Sequence, residues 1–247
     1  MIEDFNISLN KENYSQKNNK IDPANACGPT NMIMAADYAG WNIPMSIFPD
    51  LAQPEDKFIK FCRTDSQVLN FYKKINSVYY NDWFNESSFL ATNTINKEPW
   101  EVSCKKAYPP NEIHPVINYA LNLFICGENK IVTEYFDNFN LKNVIDEIIK
   151  GLPVVTSVRF GNYGHFVTIV GFSADGKAIE KYFKTNNFND LKYSIKDIII
   201  DNTYGRFNFS TMKYDNVSGN DEHIEVNRFL NIVRPVMHIF KKSSLSI

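Results

Sequence analysis

The chain has no excess of basic charge: 26 Lys and Arg stand against 28 Asp and Glu, for a formal net charge of −2 in 247 residues. Binding to a phosphate backbone needs clustered cations that release counterions, so nucleic acid is not an expected partner. Long apolar runs are missing too. No stretch approaches the ~20 residues that cross a bilayer, and the start MIEDFNISLNKENYSQ is acidic and polar where a signal peptide needs a basic start and an apolar core. The expectation is a protein with no integral membrane segment, cytoplasmic as synthesised, with export or release by lysis left open. The four cysteines, Cys27, Cys62, Cys104 and Cys126, include no C-x-x-C pair, which excludes a zinc ribbon and a thioredoxin-type motif. Cys104, His114 and Cys126 are spaced by ten and twelve residues and fit no compact ligand pattern, so neither a metal nor a cofactor is expected. There is also no internal repeat and no Pro-, Gly- or Ser-rich linker. One domain over 1–247 is the simplest organisation.

Periodicity divides the chain into two halves. After Cys27, Pro29 suits a first helical turn, Met32, Ile33, Ala35, Ala36 and Ala39 recur at helical spacing, and Gly40 stands where a C-terminal cap belongs. Cys27 is therefore placed at a helix N-terminus. Residues from about 45 to 115 carry aromatic patches between polar residues without a clean strand pattern, and read as an insertion of short helices and loops that shapes a cleft. Ile113 to Phe124 and Leu141 to Ile149 are helical by spacing. Beyond residue 150 the pattern changes to short β-rich runs, PVVTSVRF, HFVTIVGF and SIKDIIID, with a turn expected at 174–177. Helices first and an antiparallel sheet afterwards make an α+β fold, whose site forms where the early helix meets the sheet.

A helix N-terminus lowers a thiol's pKa, and a nearby imidazole lowers it further. Of the four histidines only His165 is framed as a positioned group, following the turn-like Asn162-Tyr163-Gly164 and opening the strand Phe166 to Phe172. Asp201, at the end of Ile198-Ile199-Ile200, can orient that imidazole from an adjacent strand. Gln16, eleven residues before Cys27, can give a side-chain amide to an oxyanion beside the Cys27 backbone N–H. His114, His223 and His238 read as structural or exposed, and Asp221 and Glu222 as a solvated acidic face.

Tyr14-Ser15-Gln16, Ala26-Cys27-Gly28-Pro29-Thr30-Asn31, Gly151-Leu152-Pro153-Val154-Val155, Gly164-His165 through Phe172, and Ile200-Asp201 follow one another in an order and spacing that resemble the papain-like cysteine peptidases related to those that cut double-glycine leaders from bacteriocins. The resemblance implies a papain-like fold, with Cys27 as nucleophile, His165 as base and then acid, Asp201 as orienting carboxylate and Gln16 as oxyanion donor. Members of that family commonly carry Asp-Pro at the last site, where this chain has Asp201-Asn202. Papain itself orients its histidine with an Asn, which makes Asn202 the alternative, and an extended strand would turn its side chain to the face opposite Asp201. The chain looks like a stand-alone relative without the transporter's membrane domain. The implied activity is thiol-dependent cleavage of an amide bond in a peptide, a protein or a peptidoglycan stem. The rivals are an acyltransferase using the same thioester and an inactive peptide-binding module.

Overall fold

The computed structural model describes residues 4–9, 13–83, 113–127, 130–161 and 163–243. The first helix, α1, spans Cys27–Tyr38 and is buried along nearly its whole length from Gly28. A helix apolar on all sides belongs between layers, and the small residues Ala35 and Ala36 let its neighbours approach closely. Beyond it the chain turns at Gly40, whose φ of +84° favours glycine. Helices α2 (Pro54–Thr64) and α3 (Ser66–Trp83) follow, then α4 (His114–Cys126), with Pro54 and Pro115 in the first turns of α2 and α4. Phe58, Cys62, Val68 and Tyr72 from α2 and α3 join Met32, Ile33, Val116, Ile117, Leu121 and Phe124 in one core. The remainder of the aromatic middle expected as an insertion, residues 84–112, lies outside the described residues.

Two short strands flank this helical layer in sequence, β1 (Asp4–Ser8) and β2 (Thr133–Phe136). Then come α5 (Leu141–Ile149), β3 (Val154–Phe160), β4 (Tyr163–Asp175), α6 (Gly176–Thr185), β5 (Ile195–Asn202), the small hairpin β6 (Phe207–Asn208) and β7 (Lys213–Tyr214), β8 (Gly219–Glu225), α7 (Val226–Ile232) and β9 (Val233–Phe240). Seven strands make one antiparallel sheet in the order β2-β9-β3-β4-β5-β8, with β1 also paired to β4. The mixed helix and antiparallel sheet architecture is thus as the periodicity implies. Helices cover both faces, however. Val155, Phe166 and Phe240 turn toward the α1–α4 layer, while their strand neighbours Val154, Val167 and Ile239 turn toward α5, α6 and α7, which bury Val144, Ile145, Ile179, Tyr182 and Phe229. The turn expected at 174–177 is instead the start of α6, because the Asp175 side chain accepts the Lys177 and Ala178 N–H groups and Ile179 and Tyr182 find apolar cover. Among the described residues no helix is long and apolar enough to cross a membrane.

Candidate active site

Cys27 opens α1, where the first N–H groups of a helix have no intrahelical partner and its dipole favours an anion. One turn on, buried Asn31 ties this helix end to the sheet. Its Nδ2 donates to the carbonyls of Cys27 (2.8 Å) and Phe166 (2.9 Å) and to Thr203 Oγ1 (3.2 Å), while its Oδ1 accepts the Thr168 hydroxyl at 2.8 Å. A single side chain therefore joins the main chain of Cys27 to that of the residue following His165.

His165 is buried on β4, and its Nε2 lies 2.9 Å from Oδ1 of Asn202. The backbone N–H of Tyr204 donates to the same oxygen at 3.2 Å, and the amide Nδ2 of Asn202 faces the Glu222 carboxylate at 3.4 Å. An amide flipped end for end would set donors against the Tyr204 N–H and an oxygen against a carboxylate, so the network assigns Oδ1 to the histidine side. The imidazole proton is then on Nε2, which leaves Nδ1 as the basic nitrogen. Burial pulls the His165 pKa down to about 4, opposed by the Asn202 hydrogen bond. Tyr214 from β7 stands edge-on to the imidazole, with ring centroids 5.7 Å apart, and the electrostatic influence of Cys27 is among the causes that raise its phenol above the usual range, after burial. Tyr214 therefore stands beside the imidazole and within electrostatic reach of Cys27.

The expected partnership of Asp201 with His165 is not formed. Asp201 accepts the Tyr38 hydroxyl at 2.8 Å and the Asp221 N–H at 2.9 Å, on the α1 face of the sheet with Ile199. Strand alternation decides the matter: on β4, His165 shares a face with Val167 and Ile169, and on β5 that face belongs to Ile198, Ile200 and Asn202. Burial raises the Asp201 carboxyl to about 6, despite those two hydrogen bonds.

Gln16 is buried in a 3-10 turn over Gln16–Asn18. Its Oε1 accepts the Thr203 hydroxyl at 2.9 Å, its backbone N–H donates to the Thr203 carbonyl at 3.0 Å, and its Nε2 donates to the Pro23 carbonyl at 2.9 Å. One of the two amide N–H bonds is thus engaged with Pro23. Three consecutive residues at the end of β5 and just beyond it therefore serve different partners: Asp201 the last residue of α1, Asn202 the imidazole, and Thr203 both Gln16 and Asn31.

Glu222 was missed by sequence reasoning. Expected on a solvated face, it is only 4% exposed, with its carboxylate receiving the Phe207 N–H (3.2 and 3.4 Å) and the Asn202 amide. Alternation along β8 (Gly219–Glu225), which buries Glu222 and Ile224 and exposes His223 and Glu225, is the signal that could have found it. His114 and His238 are also buried, Nδ1 of the first 2.9 Å from Nε2 of the second, with burial lowering both pKa values. Cys62 is buried and Cys126 half-buried, burial raising both thiols, while Cys104 lies outside the described residues. Among the described residues no group of three His, Cys, Asp or Glu is set to hold a metal ion.

A family model described as the Peptidase_C39 like family matches residues 8–212. The chain belongs to the Peptidase_C39-like family. Its relationship is therefore to the papain-like cysteine peptidases of that type, and the family suggests cysteine peptidase activity. No curated protein and no solved structure matches the chain. The C39-like match takes in Gln16, Cys27, His165, Asp201 and Asn202, and stops before Tyr214 and Glu222.

Proposed function

We propose that this C39-like chain is a cysteine peptidase in which Cys27 is the nucleophile, His165 the general base and acid, Asn202 the residue that orients the imidazole, and Gln16 with the Cys27 N–H the oxyanion donors. The observation that carries the reading is the His165–Asn202 hydrogen bond, held in one sense by the Tyr204 N–H. It keeps the ring proton on Nε2 and Nδ1 free to take the thiol proton. At pH 7 the ring is neutral with Nδ1 open as acceptor; burial, which pulls its pKa to about 4, opposes the transfer, and the N-terminus of α1 offsets this by favouring the thiolate that forms. The resulting thiolate attacks the amide carbon, and the tetrahedral oxyanion is met by the Cys27 N–H and the second N–H of Gln16, the first being spent on Pro23. His165 then protonates the leaving amine, and water resolves the thioester on Cys27, its proton passing to the same Nδ1. The substrate class is an amide in a peptide, a protein or a peptidoglycan stem.

Alkylation tests this without a substrate. The rate of Cys27 modification against pH, mapped by mass spectrometry, is expected to stay high well below the ordinary thiol pKa of ~8.5 and to fall toward that of a plain thiol in His165→Ala. A Cys27 that reacts no faster than Cys126 in both proteins would overturn the assignment and favour a binding module.

A further inference from the structure

We propose that Glu222 is a positioning residue for this site, its buried carboxylate holding the Asn202 amide in the one orientation that serves His165. The inference rests on the cysteine peptidase reading above and adds a carboxylate behind Asn202. A carboxylate that is 4% exposed must be compensated, and among the described residues Glu222 makes no ion pair within 4 Å. What it has instead is two N–H donors, the Phe207 backbone and Asn202 Nδ2. Asn202 itself is fully buried, so both ends of its amide need partners of the right kind. Oδ1 receives the imidazole and the Tyr204 N–H, and only an acceptor can satisfy Nδ2. Glu222 supplies that acceptor. The chain of contacts, imidazole to amide to carboxylate, gives Asn202 what a carboxylate in direct contact would give the histidine: a fixed ring tautomer and negative charge at one remove when the ring becomes an imidazolium.

The groups facing Glu222 are consistent with this. Burial raises the Glu222 pKa to about 7 against the Phe207 and Asn202 hydrogen bonds and the Arg206 charge, with Asp215 adding to the rise; Tyr214, the ring beside His165, feels the same carboxylate. β8, which carries Glu222, also holds the glycine on which Asn202 rests: a Cβ on Gly219 would lie 2.3 Å from the Asn202 carbonyl oxygen and 2.7 Å from its Cβ. Both halves of the support for Asn202 thus come from one strand beyond the family match.

A double-mutant cycle on Cys27 alkylation at pH 7 separates positioning from a merely structural bond to Phe207. Glu222→Gln is expected to slow alkylation about tenfold, the size of one net hydrogen bond, and to move the pH profile toward the ordinary thiol range. In Asn202→Ala the same change at Glu222 should then cost nothing more. A rate within twofold of the wild type, or a full further loss in the double variant, would overturn the proposal while leaving the thiol's activation by His165 standing. A wild type that reacts no faster than His165→Ala would overturn both. Should Glu222→Gln fail to fold, the 13C-carboxyl titration of Glu222 decides: its midpoint should rise in Asn202→Ala, which removes a donor, and an unmoved midpoint refutes the contact.

Discussion

Replacing Asn202 and Asp201 in turn separates two adjacent residues by what each side chain touches. Asn202→Ala removes the acceptor for two donors, the imidazole Nε2–H at 2.9 Å and the Tyr204 N–H at 3.2 Å. The imidazole is buried, so its N–H has no water to replace the lost partner, and an unsatisfied buried donor costs about 1–3 kcal/mol. That cost falls on the protonated, correctly oriented ring. At about 1.4 kcal/mol per tenfold, Cys27 alkylation at pH 7 should fall by roughly 10- to 100-fold. Asp201→Ala acts elsewhere. It strips the acceptor from the Tyr38 hydroxyl at 2.8 Å and the Asp221 N–H at 2.9 Å, joining α1 to β5 and β8, and in return it relieves the burial that raises this carboxyl to about 6. Hydrogen bonds to a charged group are worth about 1.5–3 kcal/mol each, and with that relief a net loss of roughly 2 kcal/mol is expected. For a chain of this size that is a drop in Tm of about 4–8 °C, with Cys27 reactivity kept within about threefold. Alkylation kinetics and thermal melts on both variants are the assay. The reasoning is refuted if Asp201→Ala loses reactivity tenfold while Asn202→Ala keeps it, or if neither changes the melting temperature.

Gly219→Ala places a methyl group against the Asn202 main chain and should reduce Cys27 reactivity along with a loss of about 1–3 kcal/mol from overpacking; unaltered alkylation and melting would contradict the contact. Gly171→Ala sets a Cβ 2.1 Å from the Ile7 carbonyl, so β1 should detach and the amides of residues 6–8 exchange faster, with the remaining strands protected as before. For pH, a folded Asp201 near 6 binds its proton more tightly than the unfolded chain does, so its contribution to stability declines as pH rises from about 4 to about 6. Denaturant titrations across that window should show the decline removed in Asp201→Asn, and a decline of equal size in the variant would assign it to other groups.

Much of the architecture was legible because the signals were local. Pro29 and Gly40 bracket α1, Gly151 with Pro153 ends α5, and the apolar runs around Val155, Val167 and Ile199 announced three neighbouring strands. The start of α6 was misread because Ala174-Asp175-Gly176-Lys177 suits a β-turn and a capped helix equally well, and only the cover available to Ile179 and Tyr182 chooses between them. For the proposed site, Gln16, Cys27 and His165 were singled out by type and order, and the structure sets Cys27 at the head of its helix and His165 on β4. What short-range pattern could not supply was parity and depth. Whether Asp201 or Asn202 meets the imidazole depends on the face of β5 that ends beside β4, and Glu222 is buried only because the β6–β7 hairpin and β5 close over it.

That parity has a consequence for what the carboxylates are doing. The chain keeps an Asp at the position where its relatives' pattern expects one, yet spends it on Tyr38 and Asp221, and faces the imidazole with a neutral amide. An amide can receive the Nε2–H as well as a carboxylate can, but it brings no charge to an imidazolium and can sit in either of two flips. Both shortcomings are answered by the groups behind it: the Tyr204 N–H selects the flip, and Glu222 adds an acceptor that carries partial negative charge near pH 7 and full charge above it. A direct carboxylate buried beside a histidine would itself be pressed toward protonation, as Asp201 and Glu222 are at about 6 and about 7. Inserting the amide keeps the histidine's immediate partner free of titration across that range, and any pH dependence of the carboxylate reaches the thiol only through Asn202.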